Sequence, residues 1–220
     1  MTKQELAQYI DHTLLKPNAT EDDIKKLCKE AKEYGFYSVC VNPRYVKLAK
    51  NYLKNTPIKV ACVIGFPLGE NLPEIKQLEA MLAKNDGADE LDVVASISSI
   101  IMGDYEYLFN EIMQMVDDTN LPIKVILEIG MLSNEQIVEA CRIVKKAGAK
   151  FVKTSTGYYK DGASMEAVKL MRETVGDDFG VKASGGIRDV ESVLNMISCG
   201  ANRIGTSSGV QILKEFENGK

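Results

Sequence analysis

Three segments of this sequence repeat one pattern, in which a helix ends at a glycine and an alanine leads directly into a short apolar strand. The segments are "DGADELDVV", "AGAKFVKTS" and "CGANRIGTS". Glycine closes a helix because it adopts the left-handed conformation at little steric cost, and the alanine lets the chain turn tightly into the strand. A chain that repeats helix, tight turn and strand is built from αβ units.

Each predicted helix of these units has one apolar face and a recognisable start or end. Thr20 with Asp23, and Ser133 with Gln136, are spaced as capping boxes, and Gly35 stands where a left-handed cap is expected. Apolar residues recur every three to four positions, as in an amphipathic helix. The residues predicted to face inward are Ile24, Leu27, Cys28 and Ala31 in the first helix, Ile137, Ala140, Cys141 and Val144 in the second, and Val190, Val193, Leu194 and Ile197 in the third.

Eight short strands are predicted, with helical segments between them. They are Tyr9 to Thr13, Tyr37 to Val41, Lys59 to Ile64, Glu90 to Val94, Lys124 to Glu128, Phe151 to Thr154, Val181 to Ser184 and Arg203 to Thr206. Eight such units in 220 residues fit a (β/α)8 TIM barrel of the α/β class better than an open doubly wound sheet. No linker, low-complexity tract or charge block divides the chain, so we expect residues 1–220 to form a single domain.

Composition excludes several classes of partner. The net charge of −4 and the pI near 5.3 give no basic surface for nucleic acid, and the apolar runs are too short to span a bilayer. The first residues, "MTKQELAQYI", lack the continuous apolar segment and cleavage site of a secretory signal. We therefore expect a cytoplasmic location, with neither a nucleic-acid nor a membrane partner.

The cysteines and the single histidine point away from metal or disulfide chemistry. Five cysteines are odd in number, far apart and embedded in apolar segments, so we expect buried thiols rather than a disulfide framework or a zinc site. His12 is the only histidine, and no G-x-S-x-G turn is present, so a Ser-His-Asp type of nucleophile would depend on His12 alone. The cysteines are Cys28, Cys40, Cys62, Cys141 and Cys199.

Four predicted strands contain an ionisable residue where an apolar one is expected. Both faces of a strand in a parallel barrel are covered, and the exception is its carboxyl end, where active sites of this fold lie. Lys153 and Lys182 each follow a valine and precede small polar residues, which favours a function. Lys124 opens its strand, so a stem lying over apolar surface is an equal alternative, and Asp92 has the alternative of being only an ion-pair partner.

Two lysines in one cavity favour amine chemistry. Each raises the cost of protonating the other, and burial adds to that cost, so one of them can exist as a free amine near neutral pH. A free amine attacks a carbonyl group and forms an iminium ion, an electron sink that lets a carbon–carbon bond two atoms away break or form. A carboxylate such as Asp92, directly or through water, moves the protons that this sequence of steps requires.

Two glycine-containing loops favour binding of a phosphate group. "ASGGIRD" places Gly185 and Gly186 between a strand and a helix, and "GTSSGV" places Ser207 and Ser208 between the last strand and the last helix. Glycines let backbone N–H groups approach an anion, and a helix N-terminus favours negative charge. Phosphates commonly bind at the loops after strands seven and eight of this fold.

The combined motifs resemble the deoxyribose-phosphate aldolase family of class I aldolases, which have the TIM-barrel fold. The resemblance rests on "KTSTG", "KASGGIR" and "RIGTSSG", with "GFPLG" and "GADELDVV" upstream, and it extends from Tyr9 to Leu213. It implies reversible cleavage of 2-deoxy-D-ribose 5-phosphate to D-glyceraldehyde 3-phosphate and acetaldehyde in deoxyribonucleoside catabolism. It also implies that the reaction uses no metal and no cofactor.

The resemblance further implies roles for individual residues. Lys153 matches the Schiff-base lysine, Lys182 its partner lysine, and Asp92 the acid of the proton relay. The residues predicted to bind substrate in the same pocket are Asp11, Cys40, Lys124, Thr154 and Thr156. The residues matching the phosphate site are Gly185, Gly186, Ser207 and Ser208.

Two segments differ from the family pattern. Asp92 is followed by "VVASISSI", where members often have an Asn-Ile-Gly or an aromatic-proline stretch. The family pattern therefore does not predict contacts between this loop and the sugar. Some members end in a tyrosine that assists proton transfer, whereas the tail "EFENGK" contains none, and Tyr159 is the last tyrosine.

Other interpretations stay open at this stage. One is another Schiff-base aldolase of the same barrel type, acting on a different phosphorylated sugar or on a keto acid. Another is a non-catalytic barrel that binds phosphorylated metabolites, although the presence of both Lys153 and Lys182 argues against idle lysines. A homodimer and a homotetramer are both compatible with the sequence.

Overall fold

The computed structural model describes residues 1–219 and has a closed barrel of eight parallel strands. Each strand pairs with the next in the chain, and the last pairs with the first. The predicted (β/α)8 TIM-barrel fold is therefore confirmed. The strands are β1 (Ile10–Leu14), β2 (Ser38–Val41), β3 (Lys59–Ile64), β4 (Glu90–Val94), β5 (Ile123–Ile126), β6 (Phe151–Lys153), β7 (Gly180–Ser184) and β8 (Arg203–Thr206).

Within the described residues, ten α-helices lie outside the barrel. Short 3-10 turns at Pro43–Tyr45 and Ile129–Met131 follow β2 and β5. The helices are α1 (Lys3–Ala7), α2 (Glu21–Tyr34), α3 (Val46–Tyr52), α4 (Pro73–Asn85), α5 (Ile97–Met102), α6 (Tyr105–Thr119), α7 (Asn134–Lys146), α8 (Met165–Val175), α9 (Val190–Ser198) and α10 (Gly209–Asn218).

The predicted helix ends and two of the three predicted inward faces are confirmed. Both capping boxes form, at the starts of α2 and α7, and Gly35 takes the left-handed conformation at the end of α2. The predicted faces of α2 and α7 are fully buried. On α9 the prediction for Leu194 is wrong, because Leu194 is 37% exposed while Val193 and Met196 are buried. Leu194 follows Val193 and so lies about 100° round the helix from the buried stripe.

β5 ends two residues earlier than predicted. Glu128 has a φ of 54°, in the left-handed region, and the chain turns there into the 3-10 helix instead of continuing the strand. The turn therefore follows Leu127, and Glu128 lies at the carboxyl end of the barrel. That end is where active sites of this fold are found.

The apolar core lies between the strands and the surrounding helices. Cys28, Cys62 and Cys141 are buried in it, Cys40 is buried in a separate cluster with Ala61 and Val63, and Cys199 is half-buried, all five as free thiols. The interior of the barrel differs, because it holds a group of buried charged side chains. Within residues 1–219, no helix is both long enough and apolar enough to cross a membrane.

Candidate active site

Strand register brings the buried charged residues together inside the barrel. Lys153 of β6 is paired with Lys182 of β7, and Lys182 is paired in turn with Arg203 of β8. On the other side, Asp92 of β4 is paired with Lys124 of β5. Side chains that point inward from alternate strands of a TIM barrel stack in layers, so residues far apart in sequence meet here.

Asp92 lies at the centre of this group and accepts hydrogen bonds from three lysines. Its Oδ2 atom is 2.7 Å from Nζ of Lys153 and 2.7 Å from Nζ of Lys182, and its Oδ1 atom is 2.8 Å from Nζ of Lys124. The carboxylate is fully buried. Burial alone would raise its pKa, but the three ammonium groups outweigh burial and lower the pKa of Asp92 well below its ordinary value.

Lys182 and Lys124 also form ion pairs with carboxylates other than Asp92. Lys182 also donates to Asp11, and Arg203 donates to Oδ1 of Asp11 at 2.9 Å and to Oε2 of Glu90 at 3.3 Å. Glu90 accepts a further contact from Lys124 at 2.7 Å. Burial would lower the pKa of Lys182, but the carboxylates of Asp11 and Asp92 outweigh it, so the pKa is raised and Lys182 stays charged.

The group contains one more cation than carboxylates. Its cations are Lys124, Lys153, Lys182 and Arg203, and its carboxylates are Asp11, Glu90 and Asp92. An unmatched charge is costly inside a protein, and the loss of one proton balances the group. Burial and the charge of Lys182 lower the pKa of Lys153, although Asp92 opposes them. Lys153 is therefore the lysine that most readily becomes a free amine.

Lys153 is also the one cation of this group that reaches a cavity. The cavity has a volume of about 430 Å³ and opens at the carboxyl end of the strands. Thr156 lies on its wall together with Lys153, while Lys182 and Asp92 lie beneath. A substrate in the cavity would meet the Lys153 amine first, with Asp92 as the nearest carboxylate behind it.

The two predicted phosphate loops form one side of this cavity. Gly185 and Gly186 have φ values of 93° and 79°, which side chains rarely adopt, and both line the cavity. Ser207 lines it as well. Ser208 does not lie on this wall: it precedes α10, and its N–H group donates to Oγ1 of Thr206. Lys16, which the sequence analysis did not identify, is on the wall with Arg188 and adds a second cation to this side.

The remaining predicted substrate-binding residues occupy different positions. Cys40 is buried with its Sγ atom 4.0 Å from Oδ2 of Asp92, and burial raises the pKa of this thiol to about 11. Thr154 is buried and exchanges hydrogen bonds with the backbone of Ser184 at 2.8 and 2.9 Å, which joins the ends of β6 and β7. Asp11 and Lys124 belong to the ion-pair group beneath the cavity.

Comparison with known proteins places this arrangement in a family. The model for "DeoC/LacD family aldolase" matches residues 5–215, almost the whole chain. The chain belongs to the DeoC/LacD aldolase family. The resemblance predicted from the sequence motifs is therefore confirmed.

Individual relatives of this DeoC/LacD chain are similar over their full length. A deoxyribose-phosphate aldolase of Caldicellulosiruptor saccharolyticus is 55% identical over 98% of this chain and 100% of its own, and one of Thermococcus kodakarensis is 56% identical over 97% and 98%. The solved structure of the deoxyribose phosphate aldolase from Aeropyrum pernix, described as tetrameric, has a TM-score of 0.93 at 36% identity. That comparison covers 100% of this chain and 94% of the Aeropyrum chain.

Four residues at the site of this DeoC/LacD aldolase were not predicted from the sequence. Glu90 and Arg203 each open a strand, where an ionisable residue is ordinarily exposed, and only the register shows that they face the interior. Lys16 lies in a loop with no motif around it. Glu128 has a signal that was available, since "IKVILE" ends a buried strand with a carboxylate at the active-site end of the barrel.

Proposed function

We propose that the chain is a class I aldolase that reversibly cleaves 2-deoxy-D-ribose 5-phosphate to D-glyceraldehyde 3-phosphate and acetaldehyde. The observation that carries the proposal is the position of Lys153. The buried group has one more cation than carboxylates, and Lys153 is its one cation that lines the cavity. The names of the relatives support the choice of substrate. The lysines, Asp92 and the phosphate loops supply the groups that this reaction requires.

In the proposed reaction, the Lys153 amine attacks C1 of the open-chain sugar, and loss of water gives an iminium ion. The C2–C3 bond then breaks, its electron pair forms an enamine, and the C3 hydroxyl loses its proton to become the aldehyde of glyceraldehyde 3-phosphate. Protonation of the enamine at C2 and addition of water release acetaldehyde and restore the amine. Asp92, directly or through water, accepts and returns the protons, while charged Lys182 keeps the pKa of Lys153 low.

Phosphate binding supports the orientation of the sugar in the cavity. The backbone at Gly185 and Gly186, the Ser207 hydroxyl and the cations Lys16 and Arg188 lie on one wall of the cavity that contains Lys153. N–H groups and hydroxyls provide hydrogen bonds, and the cations provide charge. A sugar held by its 5-phosphate at this wall would present C1 to the amine.

A coupled assay for release of glyceraldehyde 3-phosphate tests this function. The wild-type chain should cleave 2-deoxyribose 5-phosphate, and Lys153→Met should be inactive because methionine has no amine. Ketose phosphates and keto-acid aldols are measured in parallel. Faster cleavage of one of these would favour another Schiff-base aldolase, and binding of phosphorylated sugars without turnover would favour a non-catalytic barrel.

The proposed substrate supports a cytoplasmic location and a role in deoxyribonucleoside catabolism. A phosphorylated sugar carries about two negative charges near neutral pH and does not cross a membrane unaided, so an enzyme that consumes it acts where the sugar is made. Acetaldehyde and a triose phosphate are small products that enter general metabolism. We therefore keep the cytoplasm as the proposed site of action.

We further propose that the chain forms a homodimer or a homotetramer through an apolar surface on α4. Ile75, Leu78 and Leu82 of α4, and Leu68 and Leu72 in the segment just before it, are each more than half exposed. Contiguous exposed apolar side chains are typical of interaction surfaces. Light scattering should show an oligomer for the wild type and a monomer for Leu78→Glu, while Leu194→Glu on α9 serves as a matched control. A monomeric wild type would contradict the proposal.

A further inference from the structure

Glu128 has a backbone conformation that glutamate rarely adopts. Its φ is 54° and its ψ is 60°, in the left-handed region that favours glycine, and its side chain is 1% exposed. The residue thus combines a strained backbone with a buried carboxylate at the active-site end of the barrel. Such outliers persist where the surrounding structure holds them, and they concentrate at functional sites.

The carboxylate of Glu128 holds the backbone and the hydroxyl of Thr156 with one oxygen. Its Oε2 atom accepts from the Thr156 N–H group at 3.1 Å and from Thr156 Oγ1 at 2.5 Å. The N–H group of Tyr158 donates to the same Oγ1 atom at 3.2 Å. Thr156 lines the cavity on the same wall as Lys153. Glu128 therefore reaches the cavity through Thr156.

The hydrogen-bonding capacity of the Thr156 hydroxyl decides what it can offer a ligand. A hydroxyl has one proton and two acceptor lone pairs. The Thr156 hydroxyl donates its proton in the hydrogen bond to Glu128, and one of its lone pairs accepts from the Tyr158 N–H group. A single lone pair is left. Donating its proton to the carboxylate also strengthens the acceptor character of the hydroxyl. Thr156 can thus accept a hydrogen bond from a ligand but cannot donate one.

We propose that Glu128 is a positioning residue that fixes the Thr156 hydroxyl as the acceptor for the C3 hydroxyl of the sugar bound to Lys153. The inference rests on the proposed function. The C3 hydroxyl is a donor, it is two carbons from the iminium carbon, and it is the group that loses its proton when the C2–C3 bond breaks. Without Glu128, the Thr156 hydroxyl would be free to rotate and to present its proton instead.

A purely structural role for Glu128 makes a different prediction. If Glu128 only holds the loop after β6, its loss will disturb Lys153, three residues before Thr156, and every step on the amine will slow. The donor half-reaction separates the two cases. Acetaldehyde alone forms an iminium ion and an enamine on Lys153, so its methyl protons exchange with deuterium in D2O, and no C3 hydroxyl takes part.

The test compares Glu128→Gln, Thr156→Val and the double variant. Glutamine keeps the size of the side chain but offers an amide group that competes as a donor for the Thr156 oxygen. Cleavage of 2-deoxyribose 5-phosphate should fall about tenfold or more in kcat/KM for each single variant, in the range of a lost hydrogen bond. Acetaldehyde exchange, followed by NMR, should stay within about twofold of the wild type because the amine is intact.

The double variant should be no worse in cleavage than Thr156→Val, because Glu128 acts through Thr156. The matched control is Glu70→Gln, since Glu70 holds another loop at this end of the barrel through Ser98 N–H at 3.1 Å, and it should leave both rates unchanged. Thermal unfolding checks that all variants are folded.

Parallel losses of exchange and cleavage in Glu128→Gln, or losses that multiply in the double variant, would overturn the role of Glu128. A wild-type chain that exchanges acetaldehyde but cleaves no 2-deoxyribose 5-phosphate would instead overturn the proposed function. The two failures are therefore distinguishable in one set of measurements.

Discussion

Lys153 and Lys182 lie on adjacent strands and donate hydrogen bonds to the same oxygen atom, Oδ2 of Asp92. Each of the two Nζ–Oδ2 distances is 2.7 Å. The two lysines differ in what else holds them, because Lys182 also donates to Asp11. Two carboxylates stabilise the charge of Lys182, whereas Lys153 shares one carboxylate with two other lysines. The proton is therefore lost more easily from Lys153, at the atom that faces the cavity.

The first prediction is that Lys153 is the covalent nucleophile. Borohydride reduction in the presence of 2-deoxyribose 5-phosphate should fix a mass adduct on the peptide that contains Lys153, because the lowered pKa of this lysine provides a free amine. Peptide mapping by mass spectrometry locates the adduct, and Lys153→Met is the control that should remain unlabelled. An adduct on Lys182 in the wild type would show that the assignment of the two lysines is reversed.

The second prediction concerns the charge of Lys182. Removing this charge in Lys182→Leu removes a repulsion that disfavours protonated Lys153, so the pKa of the Lys153 amine should rise. Activity that depends on the free amine increases as pH rises through that pKa, so the acidic limb of the kcat/KM profile should move to higher pH. Turnover should fall by roughly 10²–10⁴-fold, as for lost acid-base or electrostatic assistance. An unchanged pH profile and rate would refute the partner role.

The sequence patterns predicted the fold well because each relevant signal is local. Helix caps, apolar stripes and the glycine-alanine junctions depend on residues a few positions apart, and they locate eight αβ units. The strand error at β5 has a physical origin, since nothing local indicates that Glu128 takes a left-handed conformation. The error at Leu194 arises because the apolar pattern of the sequence does not distinguish an exposed leucine beside the buried stripe from a buried one.

The candidate site was predictable to the extent that a single buried strand reveals it. Lys153, Lys182 and Asp92 interrupt apolar strands, and the structure brings these three together. Arg203 and Lys16 could not be found in this way, because their positions depend on the register between strands and on the path of a loop. Those relationships arise from closure of the barrel and not from any short segment.

The third prediction concerns stability and a second buried ion pair. Lys76 of α4 and Glu111 of α6 are fully buried and 2.6 Å apart, and Lys76 also donates to the Val94 carbonyl group at 2.9 Å. Lys76→Met should lower the free energy of unfolding by about 3–5 kcal/mol, because it leaves the Glu111 charge buried without a partner. Denaturant titration measures the change.

The double variant Lys76→Met/Glu111→Leu tests the reason for this loss. It should recover part of the lost stability, because no unpaired charge remains inside the protein. The exposed pair Lys169 and Glu173 provides a control, since Lys169→Met should cost less than about 1 kcal/mol. A double variant less stable than Lys76→Met would contradict the explanation.

The fourth prediction is that Cys40 is unreactive in the folded protein although it lies beside Asp92. Burial raises the pKa of its thiol to about 11, so almost no thiolate is present near neutral pH. Iodoacetamide should therefore leave the activity intact at pH 8, whereas in urea all five cysteines should be alkylated. Inactivation that coincides with alkylation of Cys40 and is prevented by substrate would show an accessible thiolate instead.

The last prediction separates phosphate recognition from the chemistry at Lys153. Ser207 lines the cavity beside Gly185 and Gly186, whereas Ser208 precedes α10 and lies off this wall, so Ser207 is the better position to test. Ser207→Glu places a carboxylate where the phosphate is expected to bind. Repulsion between like charges should raise KM for 2-deoxyribose 5-phosphate about tenfold or more, on the order of 1.4 kcal/mol.

Unphosphorylated 2-deoxyribose is the control substrate for Ser207→Glu, because it makes no use of the phosphate site and its cleavage should change far less. Ser208→Glu is the matched variant and should raise KM for the phosphorylated sugar less than Ser207→Glu does, since its side chain is not on the cavity wall. If Ser207→Glu lost activity equally toward both substrates, the loop after β8 would support the barrel and phosphate would bind elsewhere.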